Sequence, residues 1–406
     1  MIDLNVGFVP LLDASILIMA HEKGFAEEQG LQLKLMKETS WANIRDRLSV
    51  GQFHVAHMLA PLPIAQNLGL SPLKAQLIAP FALGLGGNAI TVSRMLYGAM
   101  GENGPHSTDP TKAGAALRAV VMNRKAHNLP KLVFAVVHGF SVHAYELRYW
   151  LAASGINPEN DVDLTIVPPA MMGDALATGA IDGFCVGEPW NSSAVAQGLG
   201  EVVTTKASIW RSSPEKVLGL RKNWAEENRE SLDALLGALH NAAMWCSSPL
   251  NKDEMARILA KPQYIGVDEK IIQKGLTGNI QGGQIQSDFL IFAERAANFP
   301  WISHALWIYS QMIRWNQCQY SSESEKIVSQ TYRPDIYRQA LGPLGVSLPG
   351  GSSKVEGALT ETTRVPASGG PLTLGPDGFF DGIAFDPSDI KTYLKELGRD
   401  IALHNR

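Results

Sequence analysis

Residues 1–36, MIDLNVGFVPLLDASILIMAHEKGFAEEQGLQLKLM, decide the fold. Apolar side chains alternate over 4–9, the two-residue period of a strand. Ser15, Ile18, Met19 and Glu22 then recur at helical spacing, and Gly24 closes that helix. Alternation returns over 31–36. Strand, helix and strand in so short a stretch predict a crossover unit, and so an α/β lobe with a mostly parallel sheet.

The same rhythm runs onward. Trp41, Ile44, Arg45 and Leu48 share one face of a helix that begins near Ser40 and ends at Gly51, and a third strand is expected over 53–59. The stretch 97–111, rich in Gly, Asn and Asp, separates this unit from a second one. There, strands are expected at 132–137, 162–167 and 183–186, with helices at 144–154 and 170–178. Two such lobes in tandem predict a cleft between them, where small ligands favour the carboxyl ends of strands. From residue 231 the pattern turns helical, over 231–246, 252–259, 289–299 and 301–315. Trp301, Trp307 and Trp315 are expected to pack these helices onto a lobe. Residues 348–371 read as a Gly/Ser/Thr/Pro-rich surface loop, and the tail 387–404 as ending in a short helix. The expected division is 1–92 with 208–406 as the first lobe and 93–207 as the second.

Composition narrows the function classes. At 406 residues the chain suits two lobes better than one core. Lysine and arginine number 35 against 39 acidic residues, with no basic stripe, which argues against direct nucleic-acid binding. No run of about 18 uncharged apolar residues predicts a membrane span. Cys185, Cys246 and Cys318 are widely spaced with no CxxC pair, so neither a disulfide framework nor a zinc site is expected. His54 and His57 stand three apart in a strand, on opposite faces, and do not make a metal pair. No GxSxG, HExxH, Walker A or strand-linked GxGxxG occurs. Neither an enzyme nor a cofactor is expected. Gly84-Leu85-Gly86-Gly87 reads as a tight hinge or binding turn. The opening residues show no basic n-region and no apolar h-region, so a cytoplasmic location is expected, or a periplasmic one if an export signal has been removed.

Several blocks resemble the nitrate and bicarbonate substrate-binding family of the NrtA/CmpA type. They are GFVPLLDASILIMAHEKGFAEEQGL at 7–31, KETSWANIRDRLSVGQFHVAHMLAPLPI at 37–64, LRYWLAASGINPENDVDL at 147–164, DGFCVGEPWN at 182–191, SPEKVLGL at 213–220 and DGIAFDPSDI at 381–390. Together they span nearly the whole chain. The resemblance implies an α/β, two-lobed, periplasmic-binding-protein-like (type II) clamp with additional C-terminal helices and an anion in its cleft. It also implies ligand contacts from Trp41, His143, Gly187 and Lys216, and from Asn88, which stands where the nitrate binder has glutamine.

These residue types suit nitrate, a flat anion whose oxygens only accept hydrogen bonds. Lys216 supplies positive charge, His143, Asn88 and the Trp41 indole can donate, and Gly187 lets backbone approach. A helix starting at Trp41 adds its N-terminal dipole. The bicarbonate branch of the family carries an acid at the position of Lys216. A lysine there is expected to leave the bicarbonate hydroxyl without an acceptor and so to favour nitrate or nitrite. Together with the missing leader, the resemblance is greatest to the cytoplasmic NasS-type sensors, which hold a NasT-type antiterminator protein and release it when the anion binds. The alternative is the binding protein of a nitrate/nitrite ABC transporter.

Overall fold

The computed structural model describes residues 1–101, 108–280 and 285–399. Parts of the expected 97–111 stretch and of the 387–404 tail therefore lie outside the described residues. The strands at the start of the chain fall where alternation places them: β1 (Ile2–Phe8), β2 (Leu31–Lys37) and β3 (Val55–Leu59). β4 (Leu77–Ala82) completes this run, β5 (Leu85–Gly86) follows, and the chain then enters β6 (Asn88–Ser93). β7 (Leu132–Val136), β8 (Val162–Ile166), β9 (Gly183–Gly187) and β10 (Gly200–Thr205) come next, then β11 (Lys216–Arg221) and the short β12 (Leu290–Ile291).

Two five-stranded sheets result, ordered β2-β1-β3-β11-β4 and β10-β6-β9-β7-β8. Each receives one strand from a crossover, and that strand runs antiparallel to its neighbours: β11 against β3 and β4, β6 against β9 and β10. The remaining pairings, β1 with β2 and β3 and β7 with β8 and β9, are parallel. This is the two-lobed α/β clamp. Asn88 already stands in the second sheet, so the first crossover precedes it rather than falling at 92/93.

The exchange of strands positions the site. An antiparallel strand begins at the sheet edge where its parallel neighbours end. Lys216, the first residue of β11, therefore pairs with Leu59 at the end of β3, and Asn88, the first of β6, pairs with Gly187 at the end of β9. Both lobes thus bring crossover residues to the carboxyl ends of their strands, where open α/β sheets bind ligands.

Glycines allow the crossovers to run close together. Gly84, Gly86 and Gly87 all have positive φ, and a Cβ on Gly86 would lie 2.2 Å from the Phe289 carbonyl oxygen. That approach lets β5 pair with β12. The helix expected over 289–299 gives way to β12 and a 3₁₀ turn, Glu294–Ala296, with Arg295 and Ala296 at positive φ. Phe289, Phe292 and Phe299 are buried all the same. Their spacing mimics a helical stripe, but pairing with the glycine turn overrides local propensity.

The C-terminal region binds both lobes. Helix Ile302–Arg314 packs against helix Pro61–Asn67 of the first lobe and helix Val142–Ala153 of the second. Trp307 lies 4.6 Å from Trp210 between ring centroids, and Phe379 stacks on Trp210 at 4.5 Å. Trp301 packs edge-on against Phe299, while Trp315 lies under the guanidinium groups of Arg148 and Arg314. The Gly/Ser/Thr/Pro-rich stretch 348–371 holds three short strands, Leu348–Pro349, Thr363–Val365 and Ala367–Ser368, in two small antiparallel ladders.

Candidate ligand-binding site

Trp41 opens the helix Trp41–Ser49, capped by Ser40, whose hydroxyl accepts from the Asn43 N–H at 3.2 Å. His143 stands in the first turn of the helix Val142–Ala153, capped by Ser141, whose hydroxyl accepts from the Ala144 N–H at 3.1 Å. Each helix therefore turns its amino end, with its partial positive charge, toward the junction of the lobes. Lys216 and Asn88 arrive on the crossover strands, and Gly187 ends β9.

All five expected residues come together, and all are buried. The Lys216 ammonium lies over the Trp41 ring at 5.2 Å. It donates to Asp13 Oδ2 at 2.7 Å and to Glu215 Oε1 at 2.5 Å. Asn88 Nδ2 donates to Glu215 Oε2 at 2.7 Å. His143 Nδ1 stands 3.3 Å from Glu215 Oε1. At Gly187 an added Cβ would lie 3.2 Å from both Asn88 Oδ1 and Leu11 Cδ2, so close packing requires the glycine.

Residues that the sequence reading passed over bind this group together. Glu215 is its hub, facing Asn88, His143, Lys216 and Lys206, whose Nζ reaches Glu215 Oε2 at 2.5 Å. Glu146, one turn beyond His143, lies 3.2 Å from Lys206. His57 Nε2 stands 2.9 Å from Asp13 Oδ1, and the His57 ring meets Trp41 edge-on. Strand alternation did separate His57 from His54, but the buried one of the pair belongs to this site. Glu146 could have been found from its i+3 spacing to His143, and Glu215 from its place beside Lys216. Asp13 and Lys206 carry no comparable local mark.

Burial and charge set the protonation states. Burial opposes ionisation of Asp13, yet Lys216 and His57 hold its carboxyl down at about 2. Burial likewise opposes the Glu215 carboxylate, but His143, Lys206 and Lys216 push its pKa well below the usual range. Burial disfavours the Lys216 ammonium, and Asp13 and Glu215 outweigh it, so Lys216 stays charged. Burial takes His143 down to about 3, against the pull of Glu215, so its imidazole is neutral near pH 7 and keeps one N–H to donate.

Two consequences revise the sequence expectation. Lys216 is matched by two carboxylates, so it does not present an unopposed positive charge. Those same carboxylates are acceptors beside Lys216, so the lysine alone does not leave a bicarbonate hydroxyl without a partner. Among the described residues, the Trp41 indole Nε1 and the His143 ring make no hydrogen bond, although His143 Nδ1 faces Glu215 at 3.3 Å. Buried polar groups of this kind are normally hydrogen-bonded, and two of them flanking the Lys216–Glu215 pair, Trp41 beside Lys216 and His143 beside Glu215, suit a place that receives an acceptor.

The lobes meet directly around it. The Leu12 N–H donates to the Glu188 carbonyl at 2.9 Å, and Trp190 Nε1 to the Pro10 carbonyl at 3.0 Å. An open cavity of about 620 Å³ lies elsewhere, lined by Ile302, Tyr332 and Arg333, but Arg333 is already paired with Asp335 at 2.6 Å.

Comparison with known proteins agrees with this architecture. The pattern of the NMT1-like family matches residues 2–260. The chain belongs to that family. Its NrtA/CmpA-type substrate-binding members are the relatives it resembles. It is 33% identical over 408 residues to the nitrate/nitrite binding protein NrtA of Synechococcus elongatus, covering 97% of this chain and 85% of that one. It is 34% identical over 415 residues to the nitrate import ATP-binding protein NrtC of Synechocystis, where it spans only 56% of the relative's length. The crystal structure of the periplasmic nitrate-binding protein NrtA from Synechocystis superposes with a TM-score of 0.84 at 29% identity, covering 97% and 98% of the two chains.

Proposed function

We propose that this NMT1-like protein binds nitrate or nitrite between its lobes, as the substrate-binding protein of an ABC-type importer. The observation that carries the reading is the gathering of Trp41 Nε1 and the neutral His143 imidazole, buried and making no hydrogen bond to any described residue, beside the Lys216 ammonium and two helix amino ends. Donors converging in a dry site suit a small anion whose oxygens only accept. Gly187 lets Asn88 and Leu11 close over one side. The division of the chain into a first lobe at both ends and a second in the middle belongs to the same reading, with closure on the anion as the working motion.

Transport is favoured over the sensor that holds a NasT-type antiterminator. The sensor reading draws on how the chain begins, whereas the relatives named above are nitrate-import and nitrate-binding proteins. The test is calorimetric titration of anion-free protein with nitrate, nitrite and bicarbonate, repeated on Lys216→Glu. Saturable heats with nitrate or nitrite are expected and none in the variant, while the bicarbonate heats report whether Asp13 or Glu215 accepts from its hydroxyl. A third carboxyl group beside Asp13 and Glu215 would repel the anion, and circular dichroism checks that the variant is folded. A folded wild type that binds neither nitrate nor nitrite overturns the reading.

A further inference from the structure

The buried groups around the site do not balance in charge. In the ion-paired network, Asp13, Glu146 and Glu215 bring three carboxyl groups, all at most 5% exposed, against the ammonium groups of Lys206 and Lys216, while the buried Glu188 next to Gly187 stands outside that network with its carboxyl pushed up to about 7 by burial. With all five ionised and both imidazoles neutral, the cluster carries one negative charge before any ligand arrives. A bound monoanion would add a second. An uncompensated buried ion costs more than a helix amino end, with its fractional charge, returns. The two helix ends therefore cannot offset the difference, and a compensating positive charge has to enter with the anion.

Among the three carboxyl groups, Glu146 is the one poised to accept it. Asp13 is held by Lys216 at 2.7 Å and by His57 at 2.9 Å. Glu215 takes Lys206 and Lys216 at 2.5 Å each, with Asn88 at 2.7 Å. Among the described residues Glu146 has one ion-pair partner, Lys206 at 3.2 Å, an ammonium that stands closer to Glu215, with the Ser213 hydroxyl beside it, and neither of its oxygens accepts a well-aligned hydrogen bond. From β9 the buried Cys185 thiol faces it, from the crossover Glu215 and the Ser213 hydroxyl, and Lys206 from its own short helix. His143 lies one turn back on the same helix.

We propose that Glu146 is the charge-balancing residue of the site: anion binding draws one proton from solution onto its carboxyl group, so that the closed clamp holds the anion and a proton together. This rests on the anion-binding reading above and adds the residue that sets its charge tolerance. In the balance, free protein with Glu146 as carboxylate, a monoanion and one proton become closed protein that holds the anion with Glu146 as carboxylic acid. No other bond changes. Burial already pushes the Glu146 carboxyl up to about 7, against the pull of Lys206, so the uptake falls in the accessible pH range. Below that value the proton is in place before the anion arrives, and above it the two enter together.

The test is nitrate titration of the wild-type chain at pH 6 and pH 8, each in two buffers of different ionisation enthalpy. The heat difference between buffers counts protons. Close to one proton taken up is expected at pH 8 and little at pH 6, with affinity weakening about tenfold per pH unit above 7. In Glu146→Gln the amide stands in for the protonated acid, so the uptake should vanish and the affinity become flat across this range. Equal heats in both buffers with a flat affinity in the wild type would overturn the proposal. Uptake that persists in Glu146→Gln would assign the proton to another group, first the buried Glu188 carboxyl next to Gly187, and overturn the role of Glu146. Absence of any nitrate heat at either pH would instead sink the anion-binding reading itself.

Discussion

Two buried ionic clusters divide this molecule's polar interior, and they are built on opposite terms. In the C-terminal region the Lys354 ammonium pairs with both Glu356 and Asp377. Glu356 also accepts from the Ser303 hydroxyl at 2.6 Å, and Asp377 from the Leu359 N–H at 2.8 Å. These contacts cross-link the chain from 303 to 377, and the ring nitrogen they leave without a hydrogen bond, His304 Nε2, faces Glu356 at 3.5 Å. Between the lobes, by contrast, three carboxyl groups share two ammonium groups, and the Trp41 indole and the His143 ring make no hydrogen bond to any described residue. A saturated cluster fixes one conformation, and one with unused donors has affinity in reserve. Substitutions in the two clusters should therefore separate stability from binding.

The largest effect is expected at Lys354. Lys354→Met leaves Glu356 and Asp377 buried and facing each other, which typically costs about 3–5 kcal/mol of stability. Burial opposes ionisation of Glu356, but Lys354 and His304 hold its carboxyl at about 2 in the intact protein. Denaturant unfolding should show that loss at neutral pH, with partial recovery in acid as the two carboxyl groups take protons. Nitrate affinity of the folded fraction should stay within about twofold, because no member of this cluster touches the cleft. A large change in affinity would break the division between the clusters.

His143→Leu is expected to do the reverse. It removes a donor and a buried imidazole with no hydrogen-bonded protein partner, so affinity should fall by roughly 10- to 100-fold while stability at pH 7 changes little. Acid sharpens the contrast. The folded pKa of about 3 lies below the usual 6.5, so the unfolded chain takes up the proton first and stability drains away as pH falls from 6.5 toward 3. The variant lacks that contribution, and its acid unfolding midpoint should move to lower pH. A lowered midpoint with unchanged nitrate affinity would mean that His143 is an ordinary core residue.

The sequence was most legible where one short-range rule decides the outcome. Alternation placed β1, β2, β7 and β8 within a residue or two of their ends, and helical spacing located the helices Ser15–Glu22 and Lys252–Leu259. It failed at 289–299, where a stripe of phenylalanines was buried by strand pairing with a distant glycine turn. At the site, the family resemblance named five residues that the fold brings together, each recognisable from a motif around it. It passed over Asp13, Glu146, Lys206 and Glu215 because their importance lies in one another. Glu215 and Asn88 are 127 positions apart, and Lys216 and Asp13 are 203 apart, so no window of sequence shows their pairing. The charge balance of the cleft arises only where the crossover, the turn after β1 and the helix Val142–Ala153 meet.

The smallest effect, and the finest test of closure, belongs to Gly187. Its backbone does not require glycine for conformational reasons, since its φ is not among the positive ones. What requires glycine is space. An added Cβ would press on Asn88 Oδ1 and Leu11 Cδ2 at 3.2 Å, which a shift of a few tenths of an ångström relieves. Asn88 belongs to the second sheet and Leu11 to the loop after β1, so relief falls on the interface between lobes more than on either core. Gly187→Ala should therefore cost about 1 kcal/mol or less in unfolding, within the ordinary range for a tight contact. Its nitrate affinity should drop by roughly 3- to 10-fold, through faster dissociation, because the closed state is the one that the methyl group strains. Stopped-flow dissociation separates the two outcomes. A slower association with unchanged dissociation would mean that the methyl group obstructs entry, and that Asn88 and Leu11 meet Gly187 before the anion is held.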